Sequence, residues 1–112
     1  MKLSLVDFLS EENNIQVTLV NKIFNQSKDP IEITYFILHP SEETIEHDHA
    51  SKELFICMTG SVTIIVDKTE IYTMKEKEAV FLNQYRSHHL INQSHAVAEM
   101  LSIAWMPSVR IP

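Results

Sequence analysis

Glycine occurs once in the 112-residue chain, at Gly60, and cysteine once, at Cys57. Proteins ordinarily carry about 7 per cent glycine, and β-rich chains lean on it at turns, so a solitary glycine marks a position whose backbone needs it. A lone cysteine excludes an internal disulfide framework. Set in an apolar stretch, Cys57 reads as a buried reduced thiol and fits a cytoplasmic setting. Cationic clusters are missing as well: 9 Lys and Arg stand against 15 Asp and Glu, a formal net charge of -6. That removes the electrostatic footprint of a nucleic-acid binder. No apolar run approaches a membrane span, and Asp7 interrupts the N-terminal run before it reaches signal-peptide length. Neither nucleic acid nor a membrane is therefore an expected partner. The length predicts one domain over 1–112 with a single core.

What is present is β-strand pattern. Residues 5–12 suit a short helix, with Ser4 as N-cap and Asp7 three residues on, or equally an irregular arm, and Asn13-Asn14 breaks it. Residues 15–20 alternate apolar and polar in the manner of a half-buried strand. Residues 25–30 are polar and turn-like, and 31–38 are rich in β-branched and aromatic side chains until Pro40. Further strands are expected at about 44–49, 53–58, 61–66, 69–74, 78–82, 88–92 and 96–105. Val66-Asp67-Lys68-Thr69 reads as a tight hairpin without its usual glycine. The stretch 96–105 is apolar on both faces, which predicts two-sided burial, in the centre of the barrel or against a second subunit. A proline-bracketed tail follows it. Short strands at brief intervals predict an all-β sandwich or barrel.

The chemistry concentrates at His47-Asp48-His49 and Glu53. Histidines at i and i+2 on a strand point to one face, roughly 7 Å apart at the backbone, so their rings can converge on one ion. Glu53 can swing in as a third ligand, completing a mixed nitrogen and oxygen set acceptable to borderline divalent metals. An outward-facing histidine pair would instead drive Asp48 into the core, where an unpaired carboxylate is costly. His88 is the best candidate for a fourth ligand, and the parity that turns it inward sends its neighbour His89 the other way. His39 and His95 flank turns and read as solvated. Cys57, two residues beyond Phe55, reads as core, and Met58, Met100 and Met106 read as gap-fillers. Tyr35, Tyr85 and Arg86 are candidate substrate contacts at the pocket mouth, Arg86 by pairing with an anionic group.

His47, His49, Glu53 and Gly60 reproduce the spacing His-x-His, three residues, Glu, six residues, Gly, and this resembles the first cupin motif. His88 and Asn92 stand at the last two fixed positions of the second motif. Lys77, Asn83 and Tyr85 replace that motif's Gly, Pro and Gly, and Ser41 replaces a glycine ahead of the first motif. The resemblance spans about residues 40–95. It implies a double-stranded β-helix, jelly-roll-like and nearly free of helix, holding one divalent ion (Fe, Mn, Ni, Zn or Cu) on His47, His49, Glu53 and His88. Asn92 would support the His88 strand from behind. Such a set leaves an octahedral ion two open positions. The implied function is a metal-dependent enzyme acting on a small organic molecule, an Fe(II)-type dioxygenase first, an isomerase or lyase next, with a non-catalytic sensing module as the alternative. Fold alone does not choose among these. Small cupins resembling this chain commonly pair through their outer strands, so a homodimer is expected.

Overall fold

The computed structural model describes residues 2–24 and 30–107. Strands dominate it: β1 (Ser10–Glu12), β2 (Ile15–Leu19), β3 (Ile31–Leu38), β4 (Lys52–Thr59), β5 (Ser61–Val66), β6 (Glu70–Lys75), β7 (Ala79–Leu82), β8 (His88–Ile91) and β9 (Ala98–Trp105). A six-stranded sheet in the order β1-β2-β3-β9-β4-β7 faces a three-stranded sheet in the order β6-β5-β8. This is the all-β, double-stranded β-helix architecture that the spacing implied. Every pairing is antiparallel. Inward-pointing Phe36, Leu38, Phe55, Cys57, Ile64, Leu90 and Met100 form the shared core.

Several local expectations change. The segment 5–12 is a 3-10 turn, Leu5–Phe8, followed by β1, because no side chain caps its start and residues 10–12 find β2 to pair with. Asn13 and Asn14, both left-handed at φ of 50° and 68°, close that hairpin, as asparagine tolerates better than most residues. A one-turn helix α1 (Val20–Ile23) follows β2, and buried Asn21 ties it to β3, its amide donating to the Ile31 carbonyl at 2.6 Å and its oxygen accepting from Ile33 N–H at 2.7 Å. The turn over 25–30 lies outside the described residues except for Pro30, as does the tail beyond Pro107.

The expected strand over 44–49 is an irregular segment touching β8 through isolated bridges at Glu43 and His47. Its ladder breaks where Leu90 N–H is taken by the Thr44 hydroxyl, at 3.0 Å, in place of a main-chain carbonyl. β9 occupies the centre of the larger sheet, between β3 and β4; Ala98, Met100 and Ser102 are buried on its inner face, whereas Leu101 and Ile103 on its outer face are half-buried. Met100 is buried, whereas Met58 and Met106 are exposed and fill no gap. Asp67 and Lys68 take φ of 50° and 64° in the β5–β6 turn, closed by Thr69 N–H to the Val66 carbonyl at 3.1 Å.

Gly60 sits at φ 82°, directly after the irregularity that shifts the β4–β9 register beyond Cys57. A Cβ there would lie 2.8 Å from the Val97 carbonyl oxygen and 2.9 Å from the Ala98 Cα. Both left-handed backbone and close approach therefore require glycine. Ser41, Lys77 and Tyr85, the residues standing where the related pattern has glycine, take φ of 72°, 70° and 60°. Tyr85 thus keeps the left-handed geometry a glycine would supply, at a cost in strain.

Candidate metal centre

Three chain segments bring the cluster together. Glu53 lies at the start of β4 and shares its inward face with Phe55 and Cys57. His88 opens β8, and His47 pairs with it in an antiparallel bridge: His47 N–H donates to the His88 carbonyl at 3.1 Å and His88 N–H to the His47 carbonyl at 3.0 Å. Residues opposed in this way send their side chains to the same face. His49 follows two residues later, its carbonyl accepting from Tyr85 N–H at 2.8 Å. One donor atom from each of His47, His49, Glu53 and His88 lies within 4.8 Å of the others. Ring centroids are 4.6 to 5.4 Å apart. Asp48, between the two histidines, is exposed.

Hydrogen bonds orient the rings. His47 Nδ1–H donates to the Ile45 carbonyl at 2.9 Å and His88 Nδ1–H to the Arg86 carbonyl at 2.8 Å. In the neutral ring each leaves Nε2 as a lone pair aimed into the cluster. His49 Nδ1 meets both the carbonyl and the hydroxyl of Ser51, at 3.1 and 2.8 Å, while its Nε2 lies 2.8 Å from Glu53 Oε1. The His88 Nε2 is buried with no hydrogen-bond partner, and at 3.4 Å Glu53 Oε1 acts on it as a charge only. An orphaned lone pair beside a carboxylate is the arrangement a cation satisfies. Three imidazoles and one carboxylate suit borderline divalent ions, and the cluster could coordinate one.

The electrostatics agree. Burial opposes ionisation of Glu53, but its contacts with His88 and His49 outweigh that and hold the carboxyl below its ordinary range. Burial likewise disfavours the His88 cation, yet Glu53, the Arg86 carbonyl and Asp48 together raise its pKa. Cation and anion stabilise one another here, which is the field a metal ion would take over.

Two hollows flank the cluster and share His47, Glu53, Thr34 and Ser102. One, of about 300 Å³, is walled by Ile15, Val17, Phe36, Phe55 and Leu90, with Glu12 at its rim. The other, of about 260 Å³, is polar and runs past Ser51 to Glu32. Of the expected substrate contacts, none lines either hollow. Tyr35 lies between Thr34 and Phe36 on β3, so parity turns it to the opposite face, where it is buried and its hydroxyl donates to Glu99. Burial and that carboxylate push the phenol well above its usual range. Arg86 is held outside by Asp67, at 2.8 Å, and Glu70, and serves to clamp the loop ahead of His88 to the β5–β6 hairpin. The Tyr85 side chain is 67% exposed. Asn92 is fully buried four residues beyond His88, donating to the Leu38 and Ala96 carbonyls at 2.8 Å each and accepting from Ser94. It fixes the end of β8 without touching the cluster.

The wall residues Ile15, Val17, Phe36 and Ser102 escaped sequence reasoning, although a signal existed. Counting two residues on from Glu53 reaches Phe55. Thr34 and Ser102 are direct cross-strand partners, as are Phe55 and Ser102, so register alone places them together.

No curated protein matches the chain. Among solved structures, a Cupin 2 conserved barrel domain protein from Salinispora arenicola superposes with a TM-score of 0.81 at 19% identity, covering 96% of this chain and 89% of that one. A Photorhabdus luminescens protein gives 0.81 at 20% identity, covering 96% and 87%. A cupin superfamily sugar phosphate isomerase from Silicibacter pomeroyi gives 0.75 at 14%, covering 100% and 77%. At such identities these likenesses concern the fold. The sequence itself matches the family described as Cupin domain over residues 34–104, most of the chain and all four residues of the cluster. The chain therefore belongs to the cupin superfamily, conserved-barrel type.

Proposed function

We propose that this cupin is a metal-dependent enzyme acting on a small organic molecule, with His47, His49, Glu53 and His88 as the ligands of one divalent ion. The observation that carries this is the convergence of the cluster's donor atoms, with a bare His88 Nε2 among them, on the wall between two hollows. Bound there, a redox-active ion such as Fe(II) supplies one-electron chemistry and Lewis acidity toward an oxygen donor. The chain's own residues orient the imidazoles through main-chain carbonyls, shield the cluster with Phe55 and Leu90, and admit a ligand through the apolar hollow.

Dioxygenase chemistry is the favoured reaction. An isomerase or lyase needs a positioned acid or base beside its substrate. Among the described residues lining the hollows, the titratable groups outside the cluster are Glu12 and Glu32, both at exposed rims. The same scarcity favours, as a second reading, a module that binds or senses a small molecule without turnover.

The test is elemental analysis of protein purified without a chelating tag, followed by oxygen-electrode screening of the iron-loaded form. About one metal per chain supports the site, and substrate-dependent oxygen uptake supports the dioxygenase. Metal without uptake turns the reading to isomerase, lyase or sensor, and a protein that takes up no metal sinks it. Because His88 must shed a proton before it can ligate, uptake is expected to tighten as pH rises through its pKa, which Glu53 and the Arg86 carbonyl hold above the ordinary imidazole range. Affinity that does not change with pH on the two sides of that titration would argue that His88 is not a ligand.

A homodimer is part of the proposal. The outer face of the six-stranded sheet presents Ile33, Leu54, Ile56, Leu101 and Ile103, with Phe81 stacked on Trp105 at 6.0 Å. Phe81 is 48% exposed. Apolar area of this extent suits a second copy. Light scattering is expected to give twice the chain mass, falling to one in Ile103→Glu; a monomeric unsubstituted protein rejects the pairing. No helix is long and apolar enough to cross a membrane. A cytoplasmic location suits the buried reduced thiol of Cys57 and is checked by cell fractionation.

A further inference from the structure

The hollow beside the cluster also carries information about what enters it. We infer that the ligand is a small oxygen chelator with an apolar body and at most one negative charge, oriented by the paired hydroxyls of Thr34 and Ser102, and that phosphorylated or otherwise polyanionic compounds are excluded. This rests on the metal-site reading.

Charge limits what the hollow accepts. A divalent ion neutralised by Glu53 leaves one positive charge, which a single anionic oxygen balances. No described Lys or Arg lines either hollow at the cluster, and both rims are acidic, at Glu12 and Glu32. Lys22 lies in an adjoining surface hollow, but Glu12 and Glu32 line that hollow with it. Arg86, the residue that could have met a phosphate, is committed to Asp67 and Glu70. A phosphoryl group would enter with extra negative charges and find no protein cation to receive them.

Shape and hydrogen bonding supply the rest. The larger hollow, at about 300 Å³, holds a single ring or a short branched chain, and its walls are apolar. Thr34 and Ser102 face each other across β3 and β9 and belong to both hollows. Ser102 is 4% exposed, and what it exposes lines the two hollows. A hydroxyl-bearing pair lining a cavity beside the cluster is placed to meet a ligand or its water. The body of the ligand accordingly lies on Val17, Phe36 and Phe55, with its polar end between the cluster and these hydroxyls.

Matched chelators test this without turnover. Acetohydroxamate, benzohydroxamate and phosphonoacetohydroxamate share one metal-binding head and differ in the body attached to it. Titrated into the cobalt(II)-loaded protein and followed by visible absorption, benzohydroxamate is expected to bind about tenfold more tightly than acetohydroxamate through ring burial, with the phosphonate weakest. Ile15→Lys, at the half-exposed mouth, should raise the affinity of the phosphonate and lower that of the benzo compound. Ser102→Ala should weaken acetohydroxamate about three- to tenfold while leaving cobalt uptake intact. A phosphonate that binds as tightly as the benzo compound in the unsubstituted protein overturns the inference alone, as does indifference to both substitutions. Failure to take up cobalt overturns the metal-site reading and this inference with it.

Discussion

His49→Ala is expected to weaken divalent-metal binding by at least about a hundredfold, while His89→Ala leaves it within about twofold. Loss of a supporting contact already costs 10- to 100-fold in typical metal sites, so loss of a direct donor must exceed that range. His49 is the informative position because it lies half-exposed in an irregular segment, where truncation removes a ring and little packing. His88 is 1% exposed, and emptying its space would mix metal loss with unfolding. His89 is the control. It pairs across the strand with Ile65 and points to the other side of β8, into a shallow hollow with Asn13, Asn14 and Glu43. Titration with a competing chelator measures both variants. Equal loss in the two would mean that the inward parity of β8 is wrong, and retention in both would place the ion elsewhere.

Gly60→Ala is expected to destabilise the fold by about 2 to 4 kcal/mol, combining left-handed strain with a clash against main-chain atoms that cannot yield. In a domain of this size that lowers the melting temperature by about 10 °C or more. The obstruction is the Val97 carbonyl oxygen, 2.8 Å from the added carbon, so relief would require β9 to separate from the β4–β5 turn. Tyr85→Gly should act in the opposite sense, stabilising by about 0.5 to 1 kcal/mol, since Tyr85 takes φ 60° and buries little of its side chain. Thermal melts of both variants, each with metal removed, decide the matter. Destabilisation by Tyr85→Gly would show that its ring contributes more through packing than its backbone loses through strain.

Legibility in the sequence followed from how local the determining physics was. Residues 31–38 and 61–66 read correctly to the residue because alternation and β-branching act within one strand. Residues 44–49 carry a similar pattern yet form no strand, because the Thr44 hydroxyl competes for Leu90 N–H, a contact 46 residues apart in sequence. The spacing of His47, His49 and Glu53 pointed to one cluster, and the cluster forms even though the connecting backbone is not the regular strand that suggested it. Tyr35 and Arg86 lie away from the two hollows for different reasons. Tyr35 shares β3 with Thr34 and Phe36 but has the wrong parity, and Arg86 has its charge absorbed by acids 16 and 19 residues distant.

By itself, then, the sequence determined the all-β class, the solitary need for glycine at residue 60 and the donor set around His47, since each depends on residue type and short spacing. Only the tertiary structure decided which walls surround those donors. Cavity lining depends on the register between β2, β3, β9 and β4, where a slip of one residue would exchange Phe36 for Tyr35 and turn an apolar hollow into a phenolic one. Register is settled by the packing of whole sheets, and no short stretch of the chain encodes it.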